Sequence, residues 1–243
     1  MKKPDKLFLA DGRYVRESEL QYLNHGDNAD VWRWNSSDGV FAIKTFYPDC
    51  HMFALDQRIA DIFVNLNFQN LPNLYSIVRS NRFDKKSFDG YVMDYFDEDQ
   101  FASLLDISSS NLYDSISGLE KDISLLFSHA IVLDDVKAAN AMITTDGMFH
   151  LLDYDLFSID SSHSLERIAA QNRNEVRWLV HSSFIIDLIV DLEFTEDEKN
   201  RIRFFLDDEF SRHKCYNLNL SDVVGTLFCN DSTPRDTLKQ MIR

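Results

Sequence analysis

Over the first hundred residues, apolar and polar positions alternate in short runs, and most runs end at a turn-forming pair. In "KLFLADGRYV" and "DVWRWNSSDGVFAIKTF", Asp-Gly stands between apolar or aromatic runs, which predicts two β-hairpins. In "VFAIK" the alternation puts Val40, Ala42 and Lys44 on one face of a strand, with Phe41 and Ile43 on the other. One stretch has a different period: in "ALDQRIADIFVNL", Leu55, Ile59, Ile62, Phe63 and Leu66 recur at helical spacing, so one helix interrupts the sheet. "PNLYSIVRS" and "GYVMDYF" then return to a β-rich composition.

From Gln100 the pattern turns helical. "QFASLL" is read as the first helical stretch, followed by "SGLEKDISLLFSHA" with Leu119, Ile123, Leu126 and Phe127 on one face. A further hairpin, "NAMITTDGMFHLLDYD", again turns on Asp-Gly. Helices follow in "NEVRWLVHSSFIIDLIVDL", in "TEDEKNRIRFFLDDEF" behind a Thr195…Glu198 capping box, and after Ser232-Thr233-Pro234. This order predicts an α+β chain, with a sheet-rich part over 1–95, a mainly helical part over 96–243 and a cleft between them.

Composition narrows the function classes. The chain has 243 residues, 44% of them hydrophobic, enough for a substantial core. Its net charge of −15, spread over many short runs, sets aside nucleic acid and anionic membrane as partners. Three widely spaced cysteines, Cys50, Cys215 and Cys229, show no metal-ligand pattern; they imply reduced thiols and a cytoplasmic location, or a host cytosol after leaderless delivery. His213 with Cys215 reads as a solvated helix end. No run approaches the roughly 20 apolar residues of a membrane span, and "MKKPDKLFLADGRY" lacks the features of a signal peptide.

The candidate chemistry lies in "VLDDVKAAN", Val132 to Asn140. The hairpin after it should bring Asp153 back beside Asn140. A carboxylate and an amide oxygen placed together suit Mg²⁺, which takes oxygen ligands and completes its shell with water and substrate phosphates. Asp135 is then left as a base or an orienting group, with Lys137 as a nearby positive charge. Upstream, Lys44 shares a strand face with small apolar residues, odd for a core face unless it meets an anion, and "LNHGDNADV" is a polar loop able to present N–H groups to phosphate.

"SHAIVLDDVKAANAM" followed by "FHLLDYD" resembles the catalytic loop and metal-binding hairpin of the protein kinases, in which H-R-D-x-K-x-x-N precedes D-F-G. In the same order, "NHGDNADV" resembles the Gly-rich loop, "FAIK" the V-A-I-K strand, "YVMDYF" the strand entering the hinge, and "NEVRWLVHSSFIIDLI" the long buried helix. The resemblance covers nearly the whole chain and implies a single two-lobed protein kinase-like domain. It also implies ATP and Mg²⁺. Lys44 would bind the α- and β-phosphates, Asp135 would accept the substrate hydroxyl proton, Lys137 would lie near the transferred phosphoryl group, and Asn140 and Asp153 would hold the metal. Val31, Ala42 and Met142 would enclose the adenine, with Met93 as gatekeeper and the backbone of Asp94 and Phe96 bonding the base. Gly26 would approach the phosphates, and Asp61 or Asp56 would be the helix partner of Lys44.

The departures from the family pattern are specific. Asn24 and Ala29 replace two of the loop's glycines, "LDD" replaces H-R-D, so that Asp134 merely occupies the arginine's place, and "DYD" replaces D-F-G, with Asp155 where glycine stands. No A-P-E follows, although Ser158, Ser161, Ser162 and Ser164 could accept phosphate. The Asp-x-Lys-x-x-Asn spacing favours a Ser/Thr kinase with a protein substrate, with or without an activating partner. The alternatives are a kinase of small molecules or cell-envelope sugars and a nucleotide-binding pseudokinase.

Overall fold

Asp11-Gly12 and Asp38-Gly39 turn the chain where the alternation breaks, and Gly12 adopts a φ of 90° that residues with a side chain rarely take. In the computed structural model, which describes residues 6–50, 54–83, 87–212 and 233–241, the chain is α+β. Seven strands form one antiparallel sheet: β1 (Lys6–Leu9), β2 (Tyr14–Arg16), β3 (Leu20–His25), β4 (Ala29–Ser36), β5 (Gly39–Phe46), β6 (Leu74–Arg79) and β7 (Gly90–Asp94). Their order is β2-β1-β6-β7-β5-β4-β3. The remaining strands are the short pairs β8 (Ile131–Val132) with β11 (Ser158–Ile159) and β9 (Ala141–Ile143) with β10 (Phe149–Leu151). Five α-helices occur among the described residues: α1 (Gln57–Phe63), α2 (Ser109–Ser128), α3 (Leu165–Val190), α4 (Glu196–Arg212) and α5 (Pro234–Met241). None is long and apolar enough to cross a membrane.

The chain divides into two units. Unit 1 comprises Met1–Phe68, Pro72–Asp97 and Asp155–Phe157; unit 2 comprises Gln69–Leu71, Glu98–Tyr154 and Ser158–Arg243. Each unit therefore includes a three-residue segment lying, in sequence, within the other's range. A single boundary after residue 95 overlooks both segments, because each belongs where it is through polar contacts that no hydrophobic period announces.

In unit 1, one face of the sheet carries a core of Leu7, Leu9, Val15, Leu20, Trp32, Trp34, Ile43, Val78 and Val92, with Phe41 packed against it. Trp32 and Trp34 are thus core residues. Helix α1 is shorter than the apolar spacing suggests: Asp56 caps it by accepting from Arg58 N–H (2.8 Å), and it ends at Phe63, leaving Leu66 beyond it. Gly90 fills a tight crossing, since a Cβ there would lie 2.0 Å from the backbone oxygen of Lys44. Cys50 is a free, half-buried thiol; Cys215, Cys229 and His213 lie outside the described residues.

Unit 2 is built on α2 and α3. Leu112, Ile116, Leu119, Ile123 and Leu126 line the buried face of α2, and Val176, Leu179, Val180, Phe184 and Leu188 that of α3. Both helices begin earlier than the apolar period shows, at the N-caps Ser108 and Ser164. The segment "QFASLL" is not an α-helix. It holds 3₁₀ turns at Glu98–Gln100 and Leu104–Asp106 on either side of an extended stretch, because Phe101 bridges to Thr144 and Ala102 N–H donates to the Ile143 carbonyl (2.8 Å). The Thr195…Glu198 capping box is present, with Thr195 N–H and Oγ1 both donating to Glu198 Oε2 at 2.8 Å.

Gln69–Leu71 is held by one buried carboxylate. Asp122 on α2 accepts from the backbone N–H groups of Gln69 (3.0 Å), Asn70 (2.6 Å) and Leu71 (3.2 Å). Burial pushes its carboxyl above the ordinary range while these three donors pull it down. Asn70, itself fully buried, donates to Ser115 Oγ (3.1 Å) and to the Phe149 carbonyl (2.6 Å), and its own carbonyl accepts from Leu151 N–H (2.9 Å). The hairpin β9–β10 is therefore referenced to α2 through Asn70.

Replacing Asp122 with Ala leaves the buried N–H groups of Asn70 and Leu71 without that acceptor and is expected to lower stability by about 3 kcal/mol, read from a urea transition. Gly90→Ala must displace β5 at Lys44 and is expected to cost at least as much as an overpacked core substitution, on the order of 1–3 kcal/mol, read the same way.

Candidate functional site

Asn172 interrupts the apolar face of α3 with a fully buried amide. Its Oδ1 accepts from Leu133 N–H and its Nδ2 donates to the Ile131 carbonyl, both at 2.9 Å. This fixes the backbone entering Val132–Asn140, which β11 also pairs, Ser158 opposite Val132 and Ile159 opposite Ile131. Leu133 is itself buried and contributes packing.

Beyond this clasp the chain turns sharply. Asp135 has a φ of 53°, left-handed backbone that a residue with a side chain rarely adopts, at a cost of about 1–3 kcal/mol. Its N–H donates to Asp134 Oδ1 (2.8 Å), so Asp134 is more than an occupant of the arginine position: it supports the turn. The turn gathers the predicted groups. Lys137 Nζ donates to both carboxylate oxygens of Asp135 (3.0 and 2.7 Å), and Asn140 Nδ2 donates to the Asp135 carbonyl (3.0 Å) and to Oδ2 (3.3 Å). Side chains 55% and 38% exposed, as in the Lys137–Asp135 pair, contribute little stability. The strained turn is therefore not offset by that ion pair.

The hairpin supplies the remaining carboxylate. Leu151 pairs with Ala141, and Leu152 N–H donates to the Asn140 carbonyl (2.7 Å), so the ladder runs back to Asn140 and Asp153 follows immediately. Asn140 ends the 3₁₀ turn before β9, and Asp153 lies two residues past β10; an amide oxygen and a half-buried carboxylate are hard-oxygen donors of the kind that suits Mg²⁺. No cluster of three or more His, Cys, Asp or Glu suited to a metal occurs among the described residues.

Met142 is buried and lines, with Phe101, Leu104, Ala139, Ile186 and Asp187, a cavity of about 270 Å³ in unit 2. Burial raises the Asp187 carboxyl above its ordinary range, although Leu104 N–H (2.5 Å) and Ser103 Oγ (3.0 Å) donate to it.

In unit 1 the register puts the nucleotide-site candidates of β4, β5 and β7 on one sheet face: Val31 lies opposite Lys44, Ala42 opposite Met93 and Lys44 opposite Tyr91. Lys44 is only 9% exposed. Its Nζ lies 2.5 Å from Asp155 Oδ2, and Tyr91 Oη donates to Asp155 Oδ1 (2.7 Å). Asp155, not a carboxylate of α1, is thus the ion-pair partner. Asp56 is used as the cap of α1 and pairs with Arg58, while Asp61 is exposed and makes no ion pair among the described residues. Nor does Asp155 need glycine's freedom, since the positive-φ residues with side chains among those described are Ala130 and Asp135.

Gly26 begins the short connection from β3 to β4, and its N–H donates to the Ala29 carbonyl (2.8 Å). A Cβ at Gly26 would meet only that oxygen, at 3.9 Å, so the fold itself does not require glycine there. The Asp94 N–H is committed to the Asn73 carbonyl (3.1 Å), and its carboxylate accepts from Tyr75 Oη (2.6 Å) and Asn73 N–H (2.8 Å). Burial, reinforced by Asp94, pushes the Tyr75 hydroxyl up to about 12. Phe96 follows, half-buried, and between them Tyr95 carries the Arg33 guanidinium over its ring, 4.8 Å from the centroid.

The segment after Asp155 is short and fastened. Ser158 lies in β11, and Ser162 N–H and Oγ both donate to Asp160 Oδ1 (2.7 and 2.6 Å). Those bonds and His163 hold the Asp160 carboxyl far below its ordinary range. Ser164 caps α3, which begins at Leu165 and not near Asn174.

Sequence reasoning missed Asn172, Tyr91 and the pairing role of Asp155. Asn172 did leave a signal, an amide on the apolar stripe of a long helix; Tyr91 and Asp155 left none that period or composition could raise. Comparison with models of known protein families and with curated proteins finds no match to this chain. Asn172→Ala leaves the Leu133 N–H and the Ile131 carbonyl unpaired in a buried setting. It is expected to cost about 2–4 kcal/mol and to accelerate amide exchange at Leu133, measured by hydrogen–deuterium exchange.

Proposed function

We propose that this chain is an ATP- and Mg²⁺-dependent phosphotransferase of protein kinase-like type, two-lobed in fold, transferring the γ-phosphoryl group to Ser or Thr of a protein. The observation that carries the reading is the gathering of Lys137 and Asn140 around Asp135 at a left-handed turn, with the Asn140 carbonyl accepting from the Leu152 N–H, one residue before Asp153.

Phosphoryl transfer asks little covalent chemistry of a protein; it asks for positioning and for neutralisation of charge on phosphate oxygens. In this reading Asp135 orients the acceptor hydroxyl and takes its proton, while Lys137 moves from Asp135 toward the negative charge of the γ-phosphoryl oxygens. Asn140 and Asp153 would hold Mg²⁺, which when bound neutralises phosphate charge. Lys44 binds the α- and β-phosphates. Val31, Ala42 and Met93 offer an apolar surface to the adenine, as does Met142 from its own unit, and the carbonyl of Asp94 and the backbone of Phe96 bond the base. Gly26 leaves room for phosphate to approach the backbone.

A second reading, transfer to a small molecule or an envelope sugar, draws support from the short, fastened segment over 156–164, which offers little platform for a peptide.

Incubation with Mg²⁺ and γ-labelled ATP, with protein and sugar panels, separates these readings. Label is expected on a protein, and Asp135→Ala and Asp153→Asn are each expected to lower the rate at least 100-fold, on the scale of losing a catalytic base or a charge clamp. Label confined to a small molecule would move the acceptor to the second reading. Saturable nucleotide binding with no transfer to any acceptor would leave a pseudokinase. Asp134→Asn, which keeps an acceptor for the Asp135 N–H, is expected to retain more activity than Asp134→Ala.

A further inference from the structure

A lysine ammonium at 9% exposure needs a counter-charge, since removing it from water unpaired is costly. Asp155 supplies one, itself only 7% exposed, with Oδ2 at 2.5 Å from Lys44 Nζ. Its other oxygen is not idle: Oδ1 accepts from Tyr91 Oη at 2.7 Å, and Tyr91 stands directly opposite Lys44 in the β5–β7 register. The carboxylate is therefore held at both oxygens by two residues fixed on adjacent strands of one sheet. Because Gly90 lets β7 approach to where a Cβ would sit 2.0 Å from the Lys44 backbone oxygen, Tyr91 and Lys44 share a closely packed stretch of that sheet.

We propose that Asp155 is the positioning residue for Lys44: buttressed by Tyr91, its carboxylate holds the ammonium in the direction needed to receive the phosphates of a bound nucleotide. This rests on the nucleotide-binding reading of Lys44 and goes beyond it, because it gives the role to a residue outside α1, at a position where the resemblance implied only a departure. A carboxylate held in place at two points acts as a fixed support for the ammonium. The same short stretch of sequence carries Asp153, so the proposed metal ligand and the support of Lys44 are two residues apart.

Equilibrium binding of ADP and of adenosine, without metal, tests this in the full chain by fluorescence or calorimetry. Asp155→Asn keeps the shape and an acceptor for Tyr91 but removes the charge; it is expected to weaken ADP about tenfold while leaving adenosine within twofold. Tyr91→Phe, which retains both charges and guards against a misfolded Asp155→Asn, is expected to weaken ADP by about threefold. Asp155→Glu is expected to recover most of the loss. A general structural defect would weaken both ligands together, and that result in folded variants overturns the proposal. ADP affinity that is unchanged or increased in Asp155→Asn also overturns it, the increase marking Asp155 as a competitor for the lysine. Failure of the wild-type chain to bind either ligand would instead overturn the nucleotide reading, and the inference with it.

Discussion

The constraint on which unit 1 turns is that a lysine ammonium cannot be withdrawn from water alone. Lys44 lies on a strand face otherwise lined by Val31, Ala42 and Met93, and its burial is tolerable because Asp155 faces it. That pairing and the Tyr91 hydrogen bond tie Asp155 to the strands of unit 1, to which Asp155–Phe157 belong although far along the chain from them. Phe157 follows Asp155 into the same unit and packs edge to face with Phe63 of α1, ring centroids 6.4 Å apart. The polar contacts of Asp155 and this aromatic contact thus anchor a segment too short to hold any secondary structure of its own.

Unit 2 solves a corresponding problem with different groups. Asp122 answers three adjacent N–H groups at Gln69–Leu71, and Asn172 answers one N–H and one carbonyl at Leu133 and Ile131. In each case a helix presents one buried acceptor-bearing side chain to the backbone of another segment. Leaving such groups unpaired costs more than a made hydrogen bond returns, so these residues act as registry pins more than as sources of net stability. What they register is the loop at Asp135 and, through Asn70, the hairpin that carries Asp153.

Much of the fold could be read from the sequence because it follows local periodicity. Most strands of the large sheet, its Asp-Gly turns, the later hairpin and the long helices announce themselves as a period of two or of 3.6; β3 does not, because it is exposed beyond Leu20, and the stretch read as the loop "LNHGDNADV" is strand at Leu23–His25 and again from Ala29. Helix ends were less visible: α2 and α3 begin at serine caps among polar residues that carry no apolar period, and "QFASLL" looked helical although pairing with Thr144 and Ile143 extends its middle. At the site, Asp135, Lys137 and Asn140 could be grouped from spacing alone, since a sharp turn brings such near neighbours together. The Lys44–Asp155–Tyr91 contact could not, because its members are joined by tertiary structure and not by any repeat. The residues nominated instead, Asp61 and Asp56, were chosen for lying on the nearest helix, and one of them was already needed to cap it.

The positions where the sequence departs from the kinase pattern deserve a physical reading of their own. Leucine at 133 cannot hydrogen-bond with its side chain, yet its backbone N–H is held by Asn172, so the strand entering the loop is fixed from the helix side. The aspartate at 134 brings no positive charge, but it accepts the N–H of Asp135 and so helps hold the left-handed turn that presents the carboxylate. Aspartate at 155 gives up glycine's freedom where the backbone does not call for it, and places a carboxylate on a buried lysine that needs one. In each case a residue that differs from the kinase pattern takes part in a hydrogen bond or ion pair with a definable local effect.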